Sequence, residues 1–179
     1  ELEGPLENDE ISAVCGKALD SQGRIHDAGW ICNDGAWQPI FRGAEPFTYS
    51  TFGSAHWFRN YGAASLNGLA FRKSDFLRVG GLRPGQRPDI ELSRALHIAS
   101  GSKPQGRIVY NPFATSVVAP DQSFEQWWNI VSLTEGVNQP IPDCPAEPDP
   151  YFNINLALGQ DGVPVLRSAL PPVRPLSHD

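Results

Sequence analysis

The chain has 179 residues, 40% of them hydrophobic, with 14 Lys plus Arg against 20 Asp plus Glu and a formal charge of −6. That length suits a compact domain with a real core, and the acidic balance, without any Lys/Arg-rich run, argues against nucleic acid or anionic lipid as the main partner. No stretch approaches the ~18 consecutive apolar residues that a membrane-spanning helix needs.

The acidic first ten residues, ELEGPLENDE, read as a surface lead-in. Residues 11–19 (ISAVCGKAL) then read as a buried strand, ended by the turn Asp20-Ser21-Gln22-Gly23. Residues 24–32 read as its return strand, with Asn33-Asp34-Gly35 as the next turn. Residues 36–62 are aromatic and irregular, carrying Trp37, Phe41, Phe47, Tyr49, Phe52, Trp57, Phe58 and Tyr61. A loop this long is either a binding surface or a connection tacked down by core aromatics. Residues 63–72 (AASLNGLAFR) form a second strand candidate, interrupted at Asn67-Gly68, where glycine marks a bulge or a close backbone approach, sometimes to a ligand.

Residues 73–79 read as a short helix that Ser74 caps and Gly80-Gly81 stops. Asp89 sits where the N-cap of the clearest helix belongs, with Glu91 in its first turn, Leu92, Leu96 and Ala99 at helical spacing, and Gly101 closing it. Residues 107–110 read as a short strand ending at Asn111-Pro112. Ser123 to Gln126 fit a capping box, opening a helix whose apolar face holds Phe124, Trp127, Trp128 and Val131. After Leu133 prolines accumulate, at 140, 142, 145, 148 and 150 and again at 164, 171, 172 and 175. Residues 134–179 are therefore expected to form an extended tail packing partly on a domain of residues 1–133.

Cys15, Cys32 and Cys144 are odd in number and match no zinc-ligand spacing, and reduced thiols are the simpler reading. The histidines at 26, 56, 97 and 178 offer no pair at ligand spacing either, so no metal ligands are assigned within the chain.

The segments VCGKALDSQGRIHDAGW, SLNGLAFRKSDFLRVGGL, PDIELSRAL, GRIVYNPFA and DPYFNINLAL, in that order, resemble the second half of family-two glycosyltransferases, especially bacterial enzymes of O-antigen and surface-polysaccharide assembly. The resemblance covers most of residues 11–118 and residues 149–158. It implies an α/β chain with part of a GT-A fold: a Rossmann-like mixed sheet with flanking helices, followed here by the proline-rich tail. The implied activity is inverting transfer of a sugar from a nucleotide-diphosphate sugar to the hydroxyl of a saccharide acceptor. The implied cofactor is a divalent metal, manganese or magnesium, held mainly outside this chain. The nucleotide half of the family, with its Asp-x-Asp motif, has no counterpart in the sequence. With the absence of methionine, this leads to the expectation that the chain is a C-terminal piece of a longer enzyme. The implied setting is the cytoplasm, with peripheral association at the inner face of the membrane.

The same resemblance places Asp89 on the family's general base, the carboxylate that takes the proton of an acceptor hydroxyl as the anomeric bond forms. The competing role is a plain N-cap. Glu91 falls on the second acid of the motif, Pro88 replaces the acid before the base, and no histidine follows at residues 117–120. Asn67, Gly68, His56 and Trp57 complete the expected substrate-binding set. The rival class is a non-catalytic carbohydrate-binding or interaction module that uses the aromatic loop as its surface.

Overall fold

A computed structural model describes residues 1–50, 53–83, 87–98, 106–119, 144, 149–153, 155–159 and 161–167. The architecture is mixed α/β. Strands β1 (Ile11–Leu19), β2 (Ile25–Asp27), β3 (Trp30–Asn33), β4 (Ala36–Pro39), β5 (Tyr49–Ser50), β6 (Gly53–Ser54), β7 (Arg59–Tyr61) and β8 (Leu69–Phe71) precede helices α1 (Lys73–Val79) and α2 (Pro88–Ile98). Strands β9 (Arg107–Val117), β10 (Leu156–Leu158) and β11 (Pro164–Leu166) follow.

The main sheet has the order β2-β1-β9-β7, with β8 also paired to β1. Its centre is the parallel pair β1–β9, and β2, β7 and β8 all run antiparallel to their neighbours. Small residues make that centre possible, since Ala13, Val14, Cys15 and Ala18 are all buried. Helix α2 lies on β1 and β9 and sends Leu92 and Leu96 into a core shared with Ile25, Ile31, Phe41, Tyr61, Ile108 and Tyr110. Burying each such leucine is worth roughly 1.5–3 kcal/mol. Among the described residues, no helix is long and apolar enough to cross a membrane.

Several sequence expectations change. The return strand over 24–32 divides at Gly29, which adopts φ 113°. Its first part pairs with β1, and its second forms a hairpin with β4. The hairpin loop, Asp34-Gly35, has positive φ at both residues, the geometry that suits the twist of a two-residue connection. The strand expected over 63–72 shrinks to β8, because Ser65 accepts the Asn67 N–H and sets up a 3-10 turn over Leu66–Gly68. Helix α1 has the expected span, and Gly80 ends it at φ 86°, but Arg72 occupies the N-cap position without a side-chain bond, so Ser74 is not the cap.

Helix α2 begins at Pro88, the favoured first helical residue, which moves Asp89 from N-cap into the first turn. Strand β9 runs on past Pro112 to Val117, because the chain bulges there. Between the pairs Cys15↔Tyr110 and Lys17↔Thr115, Gly16 alone faces residues 111–114. A Cβ on Gly16 would lie 2.4 Å from the Ala114 carbonyl oxygen, so glycine is what lets the bulged strand approach. The expected helix at 123–131, with Trp127 and Trp128, and the closing Gly101 lie outside the described residues.

The reading of the cysteines as reduced thiols is corrected for two of the three. Cys32 and Cys144 form a disulfide, with Cα atoms 5.7 Å apart, and Cys15 is a buried free thiol. The bond ties the proline-rich region to β3, and further contacts continue the attachment. Asp149 accepts the Cys32 N–H, the Gly162 carbonyl accepts the Phe41 N–H, and Arg167 pairs with Asp34. Phe152, Leu158 and Val163 pack against the main core. Cross-linking residues this far apart constrains the unfolded chain, so Cys144→Ser is expected to cost about 2–4 kcal/mol. Thermal melts with and without reductant check this: reductant should lower the wild-type melting temperature and leave the variant unchanged, whereas coincident melts would show that the bond contributes nothing.

Candidate functional site

Two regions collect the residues singled out by sequence. The first is a buried charge cluster at the start of α2. The Asp89 carboxylate is 0% exposed and is gripped at both oxygens by Arg87, with Nε to Oδ1 at 3.0 Å and a terminal nitrogen to Oδ2 at 2.7 Å. The Arg87 guanidinium lies 4.2 Å from the centre of the Trp30 ring, and the Arg42 guanidinium approaches the same ring at 5.4 Å. Asp27 accepts the Trp30 indole N–H at 3.0 Å and the Gly29 N–H at 2.9 Å, and it faces Arg42 at 3.9 Å. Burial raises the pKa of Asp89 above the ordinary carboxylate value; the hydrogen bonds and charge of Arg87 oppose this, and the nearby charge of Asp27 adds to it. Ser93, one turn further along α2, accepts the Ala64 N–H and so fixes the helix start against the chain after β7.

Asp149 supplies a second buried carboxylate. It accepts the N–H groups of Cys32 and Tyr151, each at 2.9 Å, and sits where a Cβ on Gly62 would come within 2.9 Å of its Oδ2. Burial raises its pKa, against the lowering effects of those two N–H groups and of the nearby His97. A carboxyl that binds its proton more readily folded than unfolded adds stability as the pH falls through its folded pKa. Wild type should therefore gain stability relative to Asp149→Asn as the pH drops from 7 toward 4. Paired melts across that range check the sign; a gap that narrows on acidification would contradict it.

The second region lies at the β9 bulge. An open cleft of about 450 Å³ is lined by Gly16, Gly68, residues 113–116 and residues 1–3. The exposed ring of Phe113 continues from the cleft onto an aromatic surface, with His56 at 4.9 Å edge-on and Phe58 at 5.7 Å. Phe47 lies against His56 at 5.0 Å, and Tyr49 against Trp57 at 5.8 Å. The backbone beneath is anchored: the Tyr110 hydroxyl donates to the Ala55 carbonyl, the Ser54 hydroxyl to the Thr48 carbonyl, and the Lys17 ammonium to the Pro46 carbonyl. Yet Phe47 is 71% exposed, Tyr49 70% and Trp57 50%. The aromatic stretch thus divides, with Phe41 and Tyr61 in the core and these rings facing water.

Of the expected site residues, Gly68 lines the cleft and His56 reaches it through Phe113. Asn67 stands beside it, its carbonyl accepting the Ser116 hydroxyl at 3.4 Å. Trp57 lies on the same surface against Tyr49 rather than Phe113. Asp89 and Glu91 lie at the other region, in the first turn of α2, and neither lines the cleft. Sequence reasoning missed Arg87, Trp30, Arg42 and Phe113. The signal for Trp30 was present in the DAGW segment, since an aspartate three residues before a tryptophan can hold its indole N–H. Among the described residues, no three carboxylate, thiol or imidazole groups gather as a metal-ligand set. Compared with protein-family models, curated proteins and solved structures, the chain matches none.

Proposed function

We propose that this chain is the acceptor-side part of an inverting glycosyltransferase of the family-two type, transferring a sugar from a nucleotide-diphosphate donor to a saccharide hydroxyl in surface-polysaccharide synthesis. The observation that supports the reading is spatial. The five segments that resemble the family, as β1–β3, β8–α1, α2, β9 and the docked tail, contribute to one hydrophobic core. A GT-A arrangement and a nucleotide-binding half outside the chain that carries the divalent metal belong to the same proposal. The described residues offer that metal no ligand set, so no step of this chain runs through it.

In the proposed reaction, the acceptor oxygen forms a bond to the anomeric carbon while the bond from that carbon to the diphosphate breaks, its electron pair leaving with the nucleotide. The acceptor proton passes to the Asp89 carboxylate. Its raised pKa suits a proton acceptor better than an ordinary surface carboxylate would. In the geometry described, Asp89 is fully buried and Arg87 occupies both carboxylate oxygens, so proton transfer requires the guanidinium to swing off at least one of them and the chain around it to open a path for the acceptor hydroxyl.

A second reading, a non-catalytic saccharide-binding module, is favoured by the exposed aromatic surface around Trp57. Acceptor-dependent release of nucleotide diphosphate by the natural protein that carries this chain tests the choice. Release supports the transferase, and saccharide binding without any release supports the module.

A further inference from the structure

Lys17 is a buried cation with no anion beside it. Strand β1 puts alternate side chains on one face, so Lys17 follows Ala13 and Cys15 at the rim of the main core. The residue is 2% exposed. Among the described residues its ammonium meets only the Pro46 carbonyl, at 2.8 Å, and the ring of Phe47, whose centre is 5.2 Å away, and it forms no ion pair. Lysine is almost never buried without a charged partner, because an ammonium leaving water needs both counter-charge and acceptors in its place. A carbonyl and a ring face supply one acceptor and a modest attraction, which leaves the charge and two N–H donors for another group. Burial accordingly pulls the lysine pKa below its ordinary value.

The cover over this ammonium is thin. Phe47 is largely exposed, so its ring can turn aside toward solvent without disturbing the core. His56 meets the same ring at 5.0 Å, and its Nδ1 is buried without a hydrogen-bond partner among the described residues. An ammonium and an imidazole nitrogen, both short of partners, thus lie against one exposed ring. From His56 the aromatic surface runs on to Phe113 and Phe58, both more than half exposed.

Charge decides the ligand class. One ammonium balances one negative charge, which a carboxylate carries. A phosphate ester approaches two charges at neutral pH, and the nearest other cation on this surface, Arg59, lies over Phe41 and Trp57 rather than Phe47. A neutral ligand would leave the ammonium uncompensated. The exposed rings favour an apolar body on the acid. We infer that Lys17 and His56 form a site for a small organic carboxylate with an aryl or alkyl body, the acid group pairing with the ammonium as Phe47 turns aside and the body packing on the neighbouring rings. Transfer activity in the natural protein, present or absent, leaves this site unaffected.

The test is a nuclear magnetic resonance titration of the 179-residue chain, isotope-labelled at lysine Cε, with hydrocinnamate, its neutral amide, phenyl phosphate and the peptide acetyl-Asp-Phe-amide. Lys17, Lys73 and Lys103 are the only lysines, so the signals separate readily. Hydrocinnamate is expected to move the Lys17 signal and leave the other two in place, and the amide and the phosphate to bind at least tenfold more weakly. Lys17→Met should lose tenfold or more in affinity while keeping or raising the melting temperature, since an uncharged chain replaces a buried charge. Phe47→Ala should speed reductive methylation of Lys17 severalfold with Lys73 unchanged. A Lys17 signal that hydrocinnamate does not move overturns the inference, and this wild-type measurement decides even where Lys17→Met fails to fold. Equal binding of the amide overturns it by showing that the rings alone hold the ligand. Tighter binding of the phosphate overturns the carboxylate, and tighter binding of the peptide makes a protein segment the ligand instead of a small acid. An unchanged methylation rate in Phe47→Ala removes Phe47 as the cover and overturns the route of entry.

Discussion

Gly29→Ala is expected to be among the most disruptive single-methyl additions to this fold. Gly29 adopts φ 113°, a conformation that L side chains rarely take, at a cost of about 1–3 kcal/mol. The added Cβ would also lie 2.2 Å from a ring carbon of Tyr61, which is 1% exposed and packed against Tyr110. With no room to retreat, that ring adds an overpacking cost of about 1–3 kcal/mol. At ~2–4 °C per kcal/mol for a chain of this size, the melting temperature should fall by roughly 5–20 °C. Gly23→Ala is the control, since Gly23 has φ 78° but open space where its Cβ would go. It should cost only the backbone term, about 1 kcal/mol. Circular-dichroism melts of the two variants decide the matter, and equal losses would mean that the Tyr61 contact is not what matters at Gly29.

The ion pair at the start of α2 carries the second large expectation. An aspartate acting only as an N-cap could become asparagine at almost no cost, because asparagine caps equally well. Inside the helix and chelated by Arg87, Asp89 is a different case. Asp89→Asn keeps one acceptor but removes the charge facing the guanidinium, which should cost about 1–3 kcal/mol. Asp89→Ala leaves Arg87 without its carboxylate and should cost about 3–5 kcal/mol. Urea melts of both variants check the order; a neutral Asp89→Asn would mean that the pair is not maintained in solution.

Legibility in the sequence followed the range of the interactions. Strand β1 was readable as a run of small apolar residues, α2 from Leu92 and Leu96 at helical spacing, and the end of α1 from Gly80. Each is a local pattern. The extension of β9 was hidden because Pro112 reads as the end of a strand, whereas a bulge opposite Gly16 accommodates it. Strand β8 was obscured because its three residues follow a side-chain-capped 3-10 turn.

The candidate site was less readable than the fold. Arg87 and Asp89 are two apart, a spacing that does not face within a helix, and they meet only because Arg87 precedes the helix. The Cys32–Cys144 pairing joins residues 112 apart, and no local pattern announces it. Phe113, whose ring meets His56 and is exposed, lies beyond the strand end expected at Pro112, where no local pattern marked it.

Acceptor-dependent sugar transfer by the natural protein, compared between wild type, Asp89→Asn and Arg87→Lys, tests the central claim most directly. Asp89→Asn should lower kcat roughly a hundredfold or more at unchanged donor KM, because the acceptor proton loses its destination. Arg87→Lys keeps the charge without the bidentate grip and should stay within about tenfold of wild type. Full transfer activity in a folded Asp89→Asn variant would contradict the account.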